Sequence, residues 1–383
     1  MIVSISQFLN SKVFPIITLI IFLQYNLLIN TFWWLSSPNW WSWSKYSEAM
    51  LRALEKTILR VVKTPYKGFY VDIGPVVGPA DKIWTLSFNT DSPKTPLVLL
   101  HGLGAGVALW CLNIDALAAT RPVHAFDLLG FGRSSRPDFS SDALEAEIQM
   151  VRAIEEWRKE MRINNFILCG HSLGGFLATS YSLTYPDRVK HLILADPWGF
   201  PERPSENVQS AVLWVALKTV SFLVQPINPL ATIRIAGPLG PKLINTIRPD
   251  ISKKYAGALK DTELIPQYIY QCNSQHPSGE SAFRAMMSAF GWAKNPMIKR
   301  IDNLDDRVPI TLLWGLKSWI DHSAEDILKN KRQNSYFNLR VIPGAGHHVY
   351  ADKPEQFNQI VLEACRYADS QSVSDRLPIM PSN

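Results

Sequence analysis

The sequence predicts an α/β chain: a mostly parallel, twisted sheet with helices on both faces and a helical lid inserted after one strand. Three observations predict it. Short apolar runs recur at Ile83–Phe88, Leu97–Leu100, Val123–Phe126, Phe166–Cys169, His191–Ala195, Ile310–Trp314 and Leu339–Ile342, and each has strand length. Helical patterns lie between them, and strands that alternate with helices form a parallel sheet covered on both sides. The alternation stops between Trp198 and Val308, where Pro201, Pro204, Pro226, Pro229, Pro238 and Pro241 punctuate the chain and Val208–Val224 reads as an apolar helix.

Asp142–Arg162 is the clearest helix, with Leu144, Ile148, Val151, Ile154 and Trp157 at helical spacing and charged residues opposite. At 383 residues, 47% hydrophobic and 19% charged, the chain has enough apolar material for one large catalytic domain and too much for a disordered one. Cys111, Cys169, Cys272 and Cys365 are widely spaced, with no pair at zinc or redox spacing, so neither a metal site nor a disulfide framework is expected, and a reducing compartment is. The formal charge of +6 favours anionic phosphates. No nucleic-acid motif accompanies it, which directs that preference to lipid.

The N-terminal region reads as an anchor. Val13–Leu35 runs for 23 positions without a charge, long enough to cross a bilayer. A cleaved signal is disfavoured, because the run lacks a basic n-region and ends in bulky aromatics. Trp33, Trp34, Trp40, Trp41 and Trp43 follow, a cluster suited to the headgroup region. From Lys45 to Lys63 the pattern is amphipathic, with Met50, Leu51, Leu54, Ile58, Val61 and Val62 against a basic stripe of Arg52, Lys56, Arg60 and Lys63. Such a helix suits an anionic membrane surface, or else packs on the domain with its charges in solvent. Basic residues are denser after the apolar run than before it, which orients the rest of the chain toward the cytosol.

The chemistry begins at FILCGHSLGGFLATSYSLTYP, where an apolar strand, G-x-S-x-G and a helix follow one another. This is the context of a nucleophile elbow, with Ser172 on a sharp turn and Gly170 and Gly174 where side chains would meet neighbouring backbone. LVLLHGLGAG supplies a second element: a strand running into His101, Gly102, Leu103 and Gly104, the place where an α/β-hydrolase forms half of its oxyanion hole. Leu103 and Leu173 would present the two N–H donors to the developing charge. The third element is VIPGAGHHVYADKPEQF, in which His347 ends a glycine turn after the last strand and is placed to act as base, with His348 as its neighbour. His347 and Asp352 also match the short H-x-x-x-x-D spacing of some acyltransferases, a pattern of little weight by itself. For the acid, WGLKSWIDHS offers Asp321, although the commonest arrangement would put it nearer Ser318; Asp196, at the end of the Leu192–Ala195 strand, is the alternative. Asp321 is favoured, and either carboxylate could orient the histidine. Together these elements specify the α/β-hydrolase fold.

Longer stretches carry a resemblance. RPVHAFDLLGFGRSSRP, LILADPWGFPERP, PINPLATIRIAGPLGP, YIYQCNSQHPSGESAF, GWAKNPM, SWID and GHHVYADKPEQFN together resemble the α/β-hydrolase-domain subfamily numbered four and five, over about residues 38 to 365. One branch of that subfamily is similar to a lysophospholipase and N-acyl phosphatidylethanolamine lipase; the other lacks the serine and activates a triacylglycerol lipase at lipid droplets. Because this chain has Ser172, the resemblance implies the enzymatic branch, with Ser172, Asp321 and His347 on the triad positions and no cofactor or metal. The apolar run Val13–Leu35 is longer than the anchor usual in the subfamily.

The expected organisation is an anchor over 1–66, the first part of the core over 67–199, a lid over 200–308, the rest of the core over 309–369 and a tail over 370–383. The expected activity is a serine hydrolase acting on lysophospholipids or N-acyl phospholipids. An acyltransferase using lysophosphatidic acid and a co-activator of a droplet lipase are the alternatives. The expected setting is the cytoplasmic face of the endoplasmic reticulum or a lipid droplet, with the lipid surface, a lipid substrate and a lipase or droplet-coat protein as partners and no nucleic acid.

Overall fold

The computed structural model describes residues 45–203, 229–288 and 291–374. The Val13–Leu35 run, the Trp33–Trp43 cluster and the Val208–Val224 segment lie outside them. The described residues from Tyr46 onward belong to one compact unit.

The described residues build an eight-stranded sheet in the order β1-β2-β4-β3-β5-β6-β7-β8. Its strands are β1 (Tyr66–Gly74), β2 (Asp81–Phe88), β3 (Leu97–Leu100), β4 (Val123–Phe126), β5 (Phe166–His171), β6 (Val189–Ala195), β7 (Ile310–Gly315) and β8 (Phe337–Ile342). β2 runs antiparallel to both β1 and β4, and every pairing from β4 through β3 to β8 is parallel. Central strands read as unbroken apolar runs because both faces are covered; all four residues of β3 are buried, Val98 and Leu100 toward one core and Leu97 and Leu99 toward the other.

The first core takes Met150, Ile154 and Trp157 from α3 (Ala143–Glu160) and Phe176 and Leu177 from α4 (Leu173–Thr184). Asp142 caps α3 by accepting from the backbone N–H of Leu144 and Glu145, so this helix starts where its sequence signal places it. On the other side pack Leu51, Leu54 and Ile58 of α1 (Glu48–Ile58), the short α2 (Ile114–Leu117), and Phe357 and Val361 of α12 (Pro354–Ser374). The described part of the lid contributes α5 (Pro229–Ile235), α6 (Gly240–Ile247), α7 (Pro249–Tyr255), α8 (Leu264–Asn273) and α9 (Ser278–Met286). Two short helices complete the second half of the core, α10 (Glu325–Lys331) and α11 (Val349–Asp352).

β1 escapes the sequence pattern. Its first five residues are exposed and only Val71 and Ile73 turn inward, so an edge strand shows little of the alternation by which strands are found. Gly68 lies beneath Trp84, where a Cβ would come within 2.9 Å of the indole.

Candidate active site

Parallel strands deliver their carboxyl ends to one edge, and the chemistry gathers there. β5 ends at His171, and Ser172 makes the turn into α4 with φ +53° and ψ −117°, a backbone state that costs a non-glycine residue about 1–3 kcal/mol. The turn closes because its neighbours are glycines. A Cβ on Gly170 would lie 2.2 Å from the Gly174 carbonyl oxygen, and one on Gly174 would lie 2.5 Å from that of Leu100. Leu173 is the first residue of α4, so its N–H has no acceptor within the helix and faces outward from the N-terminus.

The other expected donor sits on the loop after β3. His101 Nε2 accepts the Leu128 N–H at 3.0 Å, which leaves the proton on Nδ1 to donate to the Gly102 carbonyl at 2.8 Å. Burial pushes His101 below the ordinary histidine range and keeps it in this neutral form. Gly102 and Leu103 share a planar peptide, so anchoring the Gly102 oxygen also directs the Leu103 N–H the opposite way. A Cβ on Gly102 would come within 3.0 Å of Ser172 Cβ, which places this peptide beside the serine.

His347 follows the turn after β8 and is largely buried, as is Ser172. Its Nδ1 donates to Asp196 Oδ2 at 2.7 Å, which makes Nε2 the nitrogen available for the serine's proton. Two contacts tie it to the elbow and the rim: His171 Nε2 donates to the His347 carbonyl at 2.9 Å, and the Trp319 ring lies 4.8 Å from the His347 ring. Burial drives the His171 pKa down to about 3, so this donor remains neutral.

The carboxylate on His347 is therefore Asp196, which corrects the preference for Asp321. Asp321 lies six residues beyond β7, is exposed, and accepts the Ser323 N–H at 2.8 Å as a local turn cap. At the shallower position stands Ser318, whose hydroxyl donates to Asp196 Oδ2 at 2.5 Å. Asp196 directly follows β6, the neighbour of β5, and so reaches the histidine from the adjacent strand. Burial raises its pKa, but the hydrogen bonds from His322, His347 and Ser318 outweigh that and hold the carboxyl below its ordinary range. His322 is 3.4 Å from Oδ1 and stacks on Trp314. Ser318, Trp319, His322 and His171 carried no signal beyond the motifs they adjoin.

The neighbouring candidates have other partners. His348 Nδ1 faces the Lys254 ammonium at 3.4 Å, and burial holds His348 well below the ordinary range. Asp352 accepts the Gly346 N–H at 2.9 Å and pairs with Lys254 at 3.2 Å, so the H-x-x-x-x-D aspartate fastens the turn that carries His347. The basic helix divides as well. Arg52, Lys56, Arg60 and Lys63 are all exposed, but Leu51, Leu54 and Ile58 are packed into the core, so the apolar face of α1 is covered by protein. Among the described residues, no helix is long and apolar enough to cross a membrane.

Residues 95–354 match the family model for the alpha/beta hydrolase fold. The chain belongs to the α/β-hydrolase family. This hydrolase is 49% identical to a human protein named (Lyso)-N-acylphosphatidylethanolamine lipase, over 84% of its own length and 93% of the relative's. It is also 49% identical to the human 1-acylglycerol-3-phosphate O-acyltransferase ABHD5, over 83% of its own length and 90% of that chain. Among solved structures it resembles a bacterial membrane phospholipase A, with a TM-score of 0.60 at 18% identity, covering 94% of the hydrolase and 99% of that chain. Naproxen esterase from Bacillus subtilis superposes with a TM-score of 0.57 at 18% identity, covering 83% of the hydrolase and 99% of that chain, and at such identity the likeness is one of fold.

Proposed function

We propose that this chain is a serine hydrolase that cleaves acyl groups from lysophospholipids or N-acyl phospholipids through an acyl-enzyme on Ser172. The observation that carries the reading is the 2.7 Å bond from His347 Nδ1 to the buried Asp196, beside a serine held at φ +53°. With its proton on Nδ1, His347 takes the Ser172 proton at Nε2 as the oxygen attacks the substrate carbonyl. The Leu103 and Leu173 N–H groups receive the oxyanion, and the imidazolium then returns the proton to the leaving group. Asp196 remains ionised and stabilises the imidazolium. A binding protein gains nothing from a strained serine, which speaks against a pure co-activator role. The relatives' names supply the lipid class.

Acyl transfer is the second reading, favoured by the identity to the acyltransferase relative. Both use the same acyl-enzyme and differ in whether water or the hydroxyl of lysophosphatidic acid accepts the acyl group. The experiment is labelling with a fluorophosphonate probe and turnover of lyso- and N-acyl phosphatidylethanolamine, with and without lysophosphatidic acid. Ser172→Ala should abolish labelling and turnover together. Labelling that survives the substitution would remove Ser172 from its role, and phosphatidic acid formed in place of free fatty acid would select the transferase.

We further propose that the enzyme works on the cytoplasmic face of the endoplasmic reticulum or on lipid droplets, held by residues 1–44 through apolar insertion. The exposed Arg52, Lys56, Arg60 and Lys63 add a salt-sensitive attraction of about 1 kcal/mol each near an anionic surface. Removal of residues 1–44 should leave binding to anionic vesicles at low salt only. Salt-resistant flotation of that truncated chain would move the anchor elsewhere.

A further inference from the structure

The oxyanion loop, Gly102–Gly106, is rich in glycine, and Gly104 sits at φ +67°. Nothing in such a sequence makes it rigid, yet a donor aimed at a developing charge is useful only when it is already in place. The support comes from the lid. Asn273, the last residue of α8 and 5% exposed, donates from Nδ2 to the Gly104 carbonyl at 2.7 Å.

That bond is transmitted through two planar peptides. Holding the Gly104 oxygen fixes the Gly104–Ala105 peptide, whose N–H donates to the Gly102 oxygen at 3.2 Å. The Gly102 oxygen in turn lies opposite the Leu103 N–H across one peptide plane. Asn273 is itself well anchored. Its side-chain amide also donates to the Ile269 carbonyl at 2.7 Å, and its backbone carbonyl accepts from Arg234 of α5 at 3.0 Å. Arg234 is clamped by both oxygens of Glu280 on α9, at 2.6 and 2.9 Å. Three lid helices thus converge on one residue. A second contact of α8 agrees with this: Tyr268 packs so closely on the loop that a Cβ on Gly106 would lie 2.3 Å from its hydroxyl.

We propose that Asn273 is a positioning residue for the oxyanion loop, through which the lid sets the direction of the Leu103 N–H. The proposal rests on the serine-hydrolase reading above. Since Asn273 acts on a donor that engages the transition state more than bound substrate, its loss should appear in kcat and leave KM in place.

The decisive variant is Asn273→Ser in the full chain. A serine there can bond back to the Ile269 carbonyl and support the helix end, but it is too short to reach Gly104. Activity on a soluble p-nitrophenyl ester, normalised to sites titrated by fluorophosphonate, should fall about tenfold in kcat with KM changed by less than about twofold. Affinity for an alkyl boronic acid, whose tetrahedral adduct places an oxygen in the hole, should fall in parallel. Asn273→Ala should show the same kcat loss with a lower Tm. Asn245→Ala, which removes the lid hydrogen bonds of Asn245 with Glu263 and Ser252 and leaves the oxyanion loop untouched, should keep wild-type kcat per titrated site. Wild-type kcat and boronate affinity in Asn273→Ser would overturn the proposal, as would an equal loss in Asn245→Ala. A wild-type chain that takes no fluorophosphonate would remove the serine-hydrolase reading and this inference with it.

Discussion

The turns after β5 and β6 stand side by side and solve one problem in two ways. Both put a non-glycine residue at positive φ, Ser172 at +53° and Asp196 at +47°. The Ser172 turn is surrounded by glycines, because its backbone passes within contact distance of Leu100, His101 and the start of α4. The Asp196 turn has Pro197 and Trp198 after it and no glycine until Gly199. Aspartate tolerates the left-handed region better than most residues, so this turn needs less from its neighbours. The two are cross-linked: Ser172 N–H donates to the Ala195 carbonyl and Trp198 N–H to the Ser172 carbonyl, each at 3.1 Å. Backbone strain therefore marks both halves of the site, while only one half is written as a motif.

The largest effect expected from this comparison separates the two carboxylates. Asp196→Asn keeps the side-chain volume but presents an amide where His347 Nδ1–H needs an acceptor, which favours the wrong tautomer. Turnover should fall roughly 10³- to 10⁴-fold with the fold intact. Asp321→Asn should change turnover by less than about twofold, since an exposed turn cap keeps its acceptor in the amide. Steady-state kinetics of the two variants checks this. A damaging Asp321→Asn beside a fully active Asp196→Asn would return the acid to the loop after β7.

The same contrast explains what could be read from the chain. The elbow, the oxyanion loop and the glycine turn before His347 are local: their residues are neighbours in sequence because close approach to neighbouring atoms or a positive φ demands glycine at fixed places, as at Gly170, Gly102 and Gly344. The parallel strands were equally legible, since burial on both faces leaves unbroken apolar runs such as Leu97–Leu100. Asp196 was visible only as an alternative. Its selection depends on β6 lying beside β5 and on Ser318 occupying the position where an acid would otherwise descend from β7. Those are facts of strand order, and no spacing in one dimension encodes them. α1 repeats the lesson from the other direction. Its amphipathic pattern is real, but the pattern alone does not say whether protein or membrane covers the apolar face, and Leu51, Leu54 and Ile58 are buried in the second core, with α1 packed against α8 of the lid.

The smallest effect belongs to Ser318, which stands after β7 where an acid would otherwise lie. Ser318 makes two bonds: its hydroxyl donates to Asp196 Oδ2 and accepts the Ile320 N–H at 3.2 Å. Ser318→Ala removes both, at a cost of about 1 kcal/mol for each. They differ in pH dependence. Asp196 is held below its ordinary value in the folded chain, so the stability it supplies is present above the unfolded value of about 3.9 and is lost as pH falls through the folded value. Removing a donor to the carboxylate lessens that depression, so this part of the cost is full near neutrality and shrinks as Asp196 becomes protonated in both states. The Ile320 part has no titrating partner and stays constant. Urea unfolding of wild type and Ser318→Ala should therefore show a stability difference at pH 7 that narrows, without closing, as pH is lowered below about 4. A difference that holds constant across that range would assign Ser318 to the local turn alone and leave Asp196 supported by its two histidines.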